Sequence, residues 1–173
     1  VNIGKIRQLS DLEDLCDIAV RALDELIDYQ NYPVKCAERS TKARRSLGIG
    51  FIGLAHYLAK NGSGYEDSKA LKLVHDLSEA FQYYLIKAST FLASEKGACD
   101  DFIDTKYYDL MLPIDHYKKE VDEIYPNELQ LPWDALRDLI SEYGLRNSTL
   151  SAQMPSESSS VVCNATNGIE PPR

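Results

Sequence analysis

Apolar residues recur at Leu12, Leu15, Ala19, Ala22 and Leu26, a helical spacing with one apolar face. Ser10 and Glu13 stand three apart at its start, the signature of a capping box. The spacing predicts a helix to about Tyr29, stopping before Pro33. A second stripe, Leu71, Val74, Leu77, Phe81, Leu85, Ala88 and Leu92, predicts a long helix from Ser68 to near Gly97. Between them Leu47 to Ile52 is short, apolar and laced with glycine, as in a buried strand or tight turn. The glycines imply a close backbone approach, with strand–helix packing the plainest source. Leu54 to Ala59 turns helical and ends at Asn61-Gly62.

Residues 98–112 mix aromatics and aspartates without a period and read as irregular. A short charged helix follows Pro113 to about Ile124, and another starts at Pro132-Trp133 and ends at Gly144. Val1 opens a strand-like run, and residues 148–154, STLSAQM, alternate like a strand. Pro155 breaks that run, and Ser156 or Glu157 is placed to cap a last short helix to about Cys163 or Asn164. Helices alternating with short buried strands indicate an α/β class.

The chain has 173 residues, enough for one domain with a real core. Its net charge of −8 argues against broad binding to nucleic acid or anionic membranes. Acidic runs at Asp11 to Asp17 and Lys119 to Glu123 read as solvated helix faces. No apolar run has membrane-spanning length, and the N-terminus lacks a signal-peptide pattern. Both ends read as cuts through a larger protein, since residue 1 is Val and the last residues are Pro-Pro-Arg.

The cysteines, Cys16, Cys36, Cys99 and Cys163, are far apart with no CxxC, so they read as free thiols and not as a zinc site. Cys163 is expected to be a buried or helix-facing thiol. His56, His75 and His116 are scattered and read as structural or solvated. Asn147 and Asn164 begin N-x-Thr matches, which matter only in a secreted chain. Arg44-Arg45 is weak evidence for a phosphate contact.

The chemistry-bearing stretch is Pro155-Ser-Glu-Ser-Ser-Ser160. A loop between a strand and a helix start presents unpaired N–H groups, and serine hydroxyls add donors that rotate to suit. A phosphate cradle and a plain serine-rich cap both fit this pattern. Glu157 fits a cap or a sugar hydroxyl better than a phosphate, because its charge opposes the ligand's.

The run GLRNSTLSAQMPSESSSVVCNATNGIEPPR resembles the large subunit of class I ribonucleotide reductases. Trp133, Leu136, Gly144-Leu145-Arg146-Asn147, Ser151-Ala152, Pro155 and Ser158 follow that family's signature in order. The stretches ARRSLGIGFIGLAHYLAKNG, VRALDELIDYQNYPVK, FQYYLIKAS and LPIDHYKKEVD are similar too, so the likeness spans nearly the whole chain, nearest to versions from T4-like bacteriophages. The resemblance implies a helix-rich segment of a ten-stranded α/β barrel, with residues 1–173 a partial barrel domain, incomplete on its own. It implies reduction of ribonucleoside diphosphates to deoxyribonucleotides by a thiyl radical, an oxidoreductase reaction of deoxyribonucleotide biosynthesis for DNA replication. Ser156, Glu157, Ser158 and Ser159 then match the segment that binds the substrate diphosphate.

The family's Asn-x-Cys-x-Glu radical loop does not occur in this chain, and none of the four cysteines matches a catalytic position. The resemblance therefore implies no catalytic residue and no metal site here, and an isolated chain without activity. It implies a radical cofactor in a separate metal-containing small subunit, and thioredoxin or glutaredoxin as reductant. Implied partners are the remaining large-subunit segments, the small subunit and the ribonucleoside diphosphate, with no nucleic acid and no membrane. The implied compartment is the cytoplasm, that of the host cell for a phage protein. The competing reading is a non-catalytic nucleotide-binding or assembly fragment.

Overall fold

Two long helices carry the structure, a computed structural model that describes residues 1–126 and 128–172. Arg173, the last residue of the matched run, lies outside the described residues. Helix α1 spans Asp11–Tyr29, α2 Lys35–Arg44, α3 Leu54–Lys60 and α4 Ser68–Lys96. Helix α5 spans Val121–Ile124, α6 Trp133–Tyr143 and α7 Glu157–Cys163. The ion pairs Glu13–Lys87, Arg21–Glu95 and Glu25–Lys96 advance together along α1 and α4, so these helices lie side by side in the same direction. Their shared interior holds Leu12, Cys16, Val20 and Ile27 from α1 and Leu77, Phe81, Leu85, Ile86 and Leu92 from α4. Helix α6 packs on α4 and adds Trp133, Leu136 and Ile140.

The buried face of α1 is displaced from the expected one. Leu12 is buried, but Leu15 is 38% and Leu26 52% exposed, while Cys16, Val20 and Ile27 are inside. The helix carries two interleaved apolar stripes, and the buried one contains Asp24, which disguised it as polar. The Ser10 capping box also fails to form. Ser10 is already helical in backbone and its hydroxyl caps nothing. Asp11 Oδ2 instead accepts from the N–H groups of Arg7, at 2.8 Å, and Gln8, at 3.3 Å.

Helix α2 has no counterpart in the apolar pattern of the sequence, because it buries no residue and so has no apolar period. The Glu38–Lys42 pair, one helical turn apart, supports it, and Arg45 ends it in the left-handed conformation, φ 47°. The charged helix after Pro113 is shorter than expected. It comprises a 3₁₀ turn at Pro113–Asp115 and the single turn of α5, neither with a buried face to extend it.

Three extended segments run parallel, with 47–52 between residues 1–3 and 148–153. Ile52 N–H donates to Val1 O, and Ile3 N–H to Ile52 O. On the other side Ile49 N–H donates to Leu150 O at 2.9 Å, and Ala152 N–H to Ile49 O at 3.1 Å. Among the described residues the pairing stays at isolated bridges, Asn2 with Ile52 and Ile49 with Ser151, and no continuous strand forms. One reason is local. The Gln153 amide takes the place of a backbone partner, accepting from Phe51 N–H at 3.1 Å and donating to Phe51 O at 2.8 Å. The glycines serve this pairing and not a helix contact: a Cβ on Gly50 would stand 2.5 Å from Ala152 O. The observed architecture is thus helix-rich, with parallel extended segments linked through helices, as α/β units are.

Candidate functional site

Extended backbone from Ser148 delivers Met154 and Pro155 to the start of α7. Ser156 occupies the left-handed region, φ 57°, and its hydroxyl points back to Met154 O at 3.3 Å. The side chain therefore does not cap α7, and the N–H groups of Glu157, Ser158 and Ser159 meet no acceptor among the described residues. Ser160 N–H is the first to be used, donating to Ser156 O at 2.9 Å. Glu157, Ser158 and Ser159 are exposed and Ser156 is half-buried. Ser160 is buried, its hydroxyl donating to Glu157 O at 2.7 Å, so it is unavailable to a ligand. The structure thus gathers all four expected residues around three outward N–H donors and two free-standing hydroxyls, a donor set suited to an anion. Glu157 brings one opposing charge.

A turn from the chain's end supports the loop from beneath. Gly168 lies so close that an added Cβ would be 3.2 Å from Met154 O and 3.3 Å from Pro155 O. Asn164 stops α7 in the left-handed region, and Gly53 N–H donates to Thr166 O at 2.8 Å. The Tyr65 hydroxyl reaches Ile169 O and Glu170 O, both at 3.1 Å. Thr166 Oγ1 is buried with no hydrogen-bond partner. Gln153, Thr166 and Gly168 were not singled out from sequence. Asn167-Gly168 does carry a turn signal.

Other sequence candidates lie elsewhere. Arg45 is buried against Asp24 and Asp28 and is closed to a phosphate, while Arg44 is exposed and pairs with Asp101 at 3.3 Å. The Asn147 side chain is fully buried in hydrogen bonds, which closes it to glycosylation. His75 packs against the Tyr125 ring at 5.8 Å, and His56 is exposed beside Gly4. Among the described residues no three His, Cys, Asp or Glu side chains are grouped as a metal ligand set.

Cys163 departs from expectation: it is exposed at the end of α7, whose only buried residue is Ser160. Cys36 is exposed too, whereas Cys16 and Cys99 are buried. Burial pushes the Cys16 thiol up to about 12, and that of Cys99 upward as well. A thiol reagent added to the native chain is expected to label Cys36 and Cys163 promptly and the other two only after unfolding. Mass spectrometry of timed samples reads this directly, and early labelling of Cys16 would contradict the packing.

The chain as a whole belongs to a known class. The family model of the ribonucleotide reductase barrel domain matches residues 1–173. The chain belongs to that family. Among its relatives, the ribonucleoside-diphosphate reductase subunit alpha of Buchnera aphidicola subsp. Schizaphis graminum is 58% identical over all of this chain. The Haemophilus influenzae subunit alpha is 59% identical over 99% of it, and that of Enterobacteria phage T4 is 50% identical over 94%. A phage version is thus among the relatives, and these bacterial versions share more residues with the chain. The matched regions span 23%, 23% and 21% of the three relatives' lengths.

Proposed function

We propose that this chain is a segment of the large subunit of a ribonucleoside-diphosphate reductase and contributes the loop that holds the substrate's diphosphate. The observation that carries this reading is the set of unengaged N–H groups at Glu157, Ser158 and Ser159, in a chain of this family. In this reading the three parallel extended segments belong to the ten-stranded barrel, and residues 1–173 form part of one barrel domain. The outer edges of segments 1–3 and 148–153 are where neighbouring strands would pair.

The role of these residues is to bind and orient. Backbone N–H groups and the Ser158 and Ser159 hydroxyls donate to phosphate oxygens, and Gly168 keeps the loop's underside filled. A radical cofactor held by a separate small subunit supplies the oxidising equivalent, and thioredoxin or glutaredoxin supplies reducing equivalents. The partners are the rest of the large subunit, the small subunit and a ribonucleoside diphosphate. No helix among the described residues is long and apolar enough to cross a membrane, and the proposed setting is the cytoplasm.

The test is the double substitution Ser158→Ala with Ser159→Ala in a full-length α subunit carrying this segment. Loss of two charge-assisted hydrogen bonds, with the backbone donors kept, is expected to raise KM for the diphosphate about tenfold. Unchanged substrate affinity would remove the loop from the diphosphate site.

A further inference from the structure

The serine loop hangs from a run of chain whose upstream end is held by buried charge. Asp24, in the middle of α1, is fully buried. Its Oδ1 accepts from Arg45 Nε at 2.7 Å and from Asn147 Nδ2 at 3.0 Å. Its Oδ2 accepts from Arg146 Nε at 3.3 Å. Asn147 is fully buried as well, and Nδ2 also donates to Arg45 O at 3.0 Å. The Asn147 amide oxygen accepts from Ser89 Oγ at 2.9 Å, while its backbone N–H donates to the same Oγ at 3.0 Å. Both amide hydrogens and the amide oxygen are thereby used, and α1, the end of α2, and α4 all converge on one side chain.

Such a cluster is a poor way to gain stability. Apolar packing of the same volume does as well or better, because charges lose hydration on burial. What it provides is discrimination. Only an amide at this position satisfies a carboxylate, a carbonyl and a hydroxyl together. A slip by one residue would bring Arg146 or Ser148 into the buried site and turn every following side chain to the opposite face. The pairing downstream transmits that choice. Leu47 N–H donates to Thr149 O, Ile49 N–H to Leu150 O, and Gln153 locks onto Phe51 just before the loop begins.

We propose that Asn147, held by Asp24 and Ser89, is a positioning residue for the substrate diphosphate: it sets the register of 148–153 and so the place where Ser158 and Ser159 meet the phosphate. This rests on the loop reading given above. The test uses a full-length α subunit carrying this segment, with steady-state kinetics on a ribonucleoside diphosphate, rates being expressed per folded enzyme. Asn147→Asp, which sets a carboxylate against Asp24, is expected to raise KM about tenfold with kcat changed far less. Ser89→Ala, a milder change on α4, is expected to raise KM several-fold.

A purely structural role would lower the melting temperature and the yield of folded enzyme while leaving KM alone. Unchanged KM in both Asn147→Asp and Ser89→Ala, with KM raised in the Ser158→Ala/Ser159→Ala enzyme, overturns the positioning role and leaves the loop reading standing. Unchanged KM in the serine variant overturns the loop reading and this inference with it. If Asn147→Asp does not fold, Ser89→Ala decides the question alone.

Discussion

Replacing Arg45 with Ala is expected to cost about 3 kcal/mol of folding stability, read as a shift in the denaturant midpoint with unchanged slope. The guanidinium is buried, with Nε on Asp24 Oδ1 at 2.7 Å, Nη2 on Asp24 O at 2.9 Å, and a two-pronged contact to Asp28. Truncation leaves Asp24 fully buried and short of one cation, which is far worse than never having placed the pair there. Arg146 and Asn147 still reach Asp24, which keeps the estimate at the low end of the range for broken buried pairs. Asp24→Leu together with Arg45→Met should lose less than Arg45→Ala alone, because the stranded charge goes with its partner. Equal losses would mean that the pair is solvated and uncoupled.

The same contact fixes a pH dependence. The hydrogen bonds from Arg45 hold the Asp28 carboxyl below its ordinary value of 3.8. A carboxylate depressed in the folded state stabilises the fold above that ordinary value, and the contribution is lost as pH falls through the lower folded value. Asp28 is 46% exposed in its side chain, so solvent screens much of this. The Arg45→Ala chain should therefore show a flatter acid limb in stability against pH, in addition to its lower plateau.

The second large effect is expected at Glu79. Among the described residues, Oε1 of this buried carboxylate accepts from Gln130 N–H at 2.7 Å, Leu131 N–H at 2.9 Å and Trp133 Nε1 at 3.0 Å. It pins the entry to α6 onto α4. Glu79→Ala orphans three donors at once and is expected to cost about 3 kcal/mol, whereas Glu79→Gln keeps an acceptor oxygen and should cost about 1 kcal/mol. Trp133 is the one tryptophan and is 5% exposed, with its ring edge-on to Tyr83 at 5.3 Å. Its emission should shift to the red in Glu79→Ala before global unfolding. An unshifted emission with native stability would show that the segment is held by packing alone.

The long helix α4 was legible from its apolar stripe, α6 from Pro132 and Gly144 at its ends, and the start of α7 from Pro155 and the serines after it. Those signals are local: a side-chain period, a ring that fixes φ, a glycine that accepts positive φ. The serine-rich turn into α7 was also legible, through its composition, while its role at a diphosphate is the reading proposed above. Helix α2 was not, because charged residues on every side leave no period to detect.

What only the tertiary structure decided concerns partners distant in sequence. Which of two apolar stripes on α1 turns inward depends on Asp24 finding Arg45, Arg146 and Asn147, and no local preference contains that choice. The glycines at 48 and 50 could be read as a close approach, but the approaching backbone, residues 148–153, lies about a hundred residues away, as the separation of 102 between Gln153 and Phe51 shows. A lone thiol such as Cys163 carries no local signal for burial, and the short α7 leaves it exposed since it buries Ser160 alone. The sequence by itself determined the helices that carry an apolar period or a proline or glycine stop, and the family. The fold decided register, burial and which charges meet, because these are sums over contacts that no window of neighbouring residues contains.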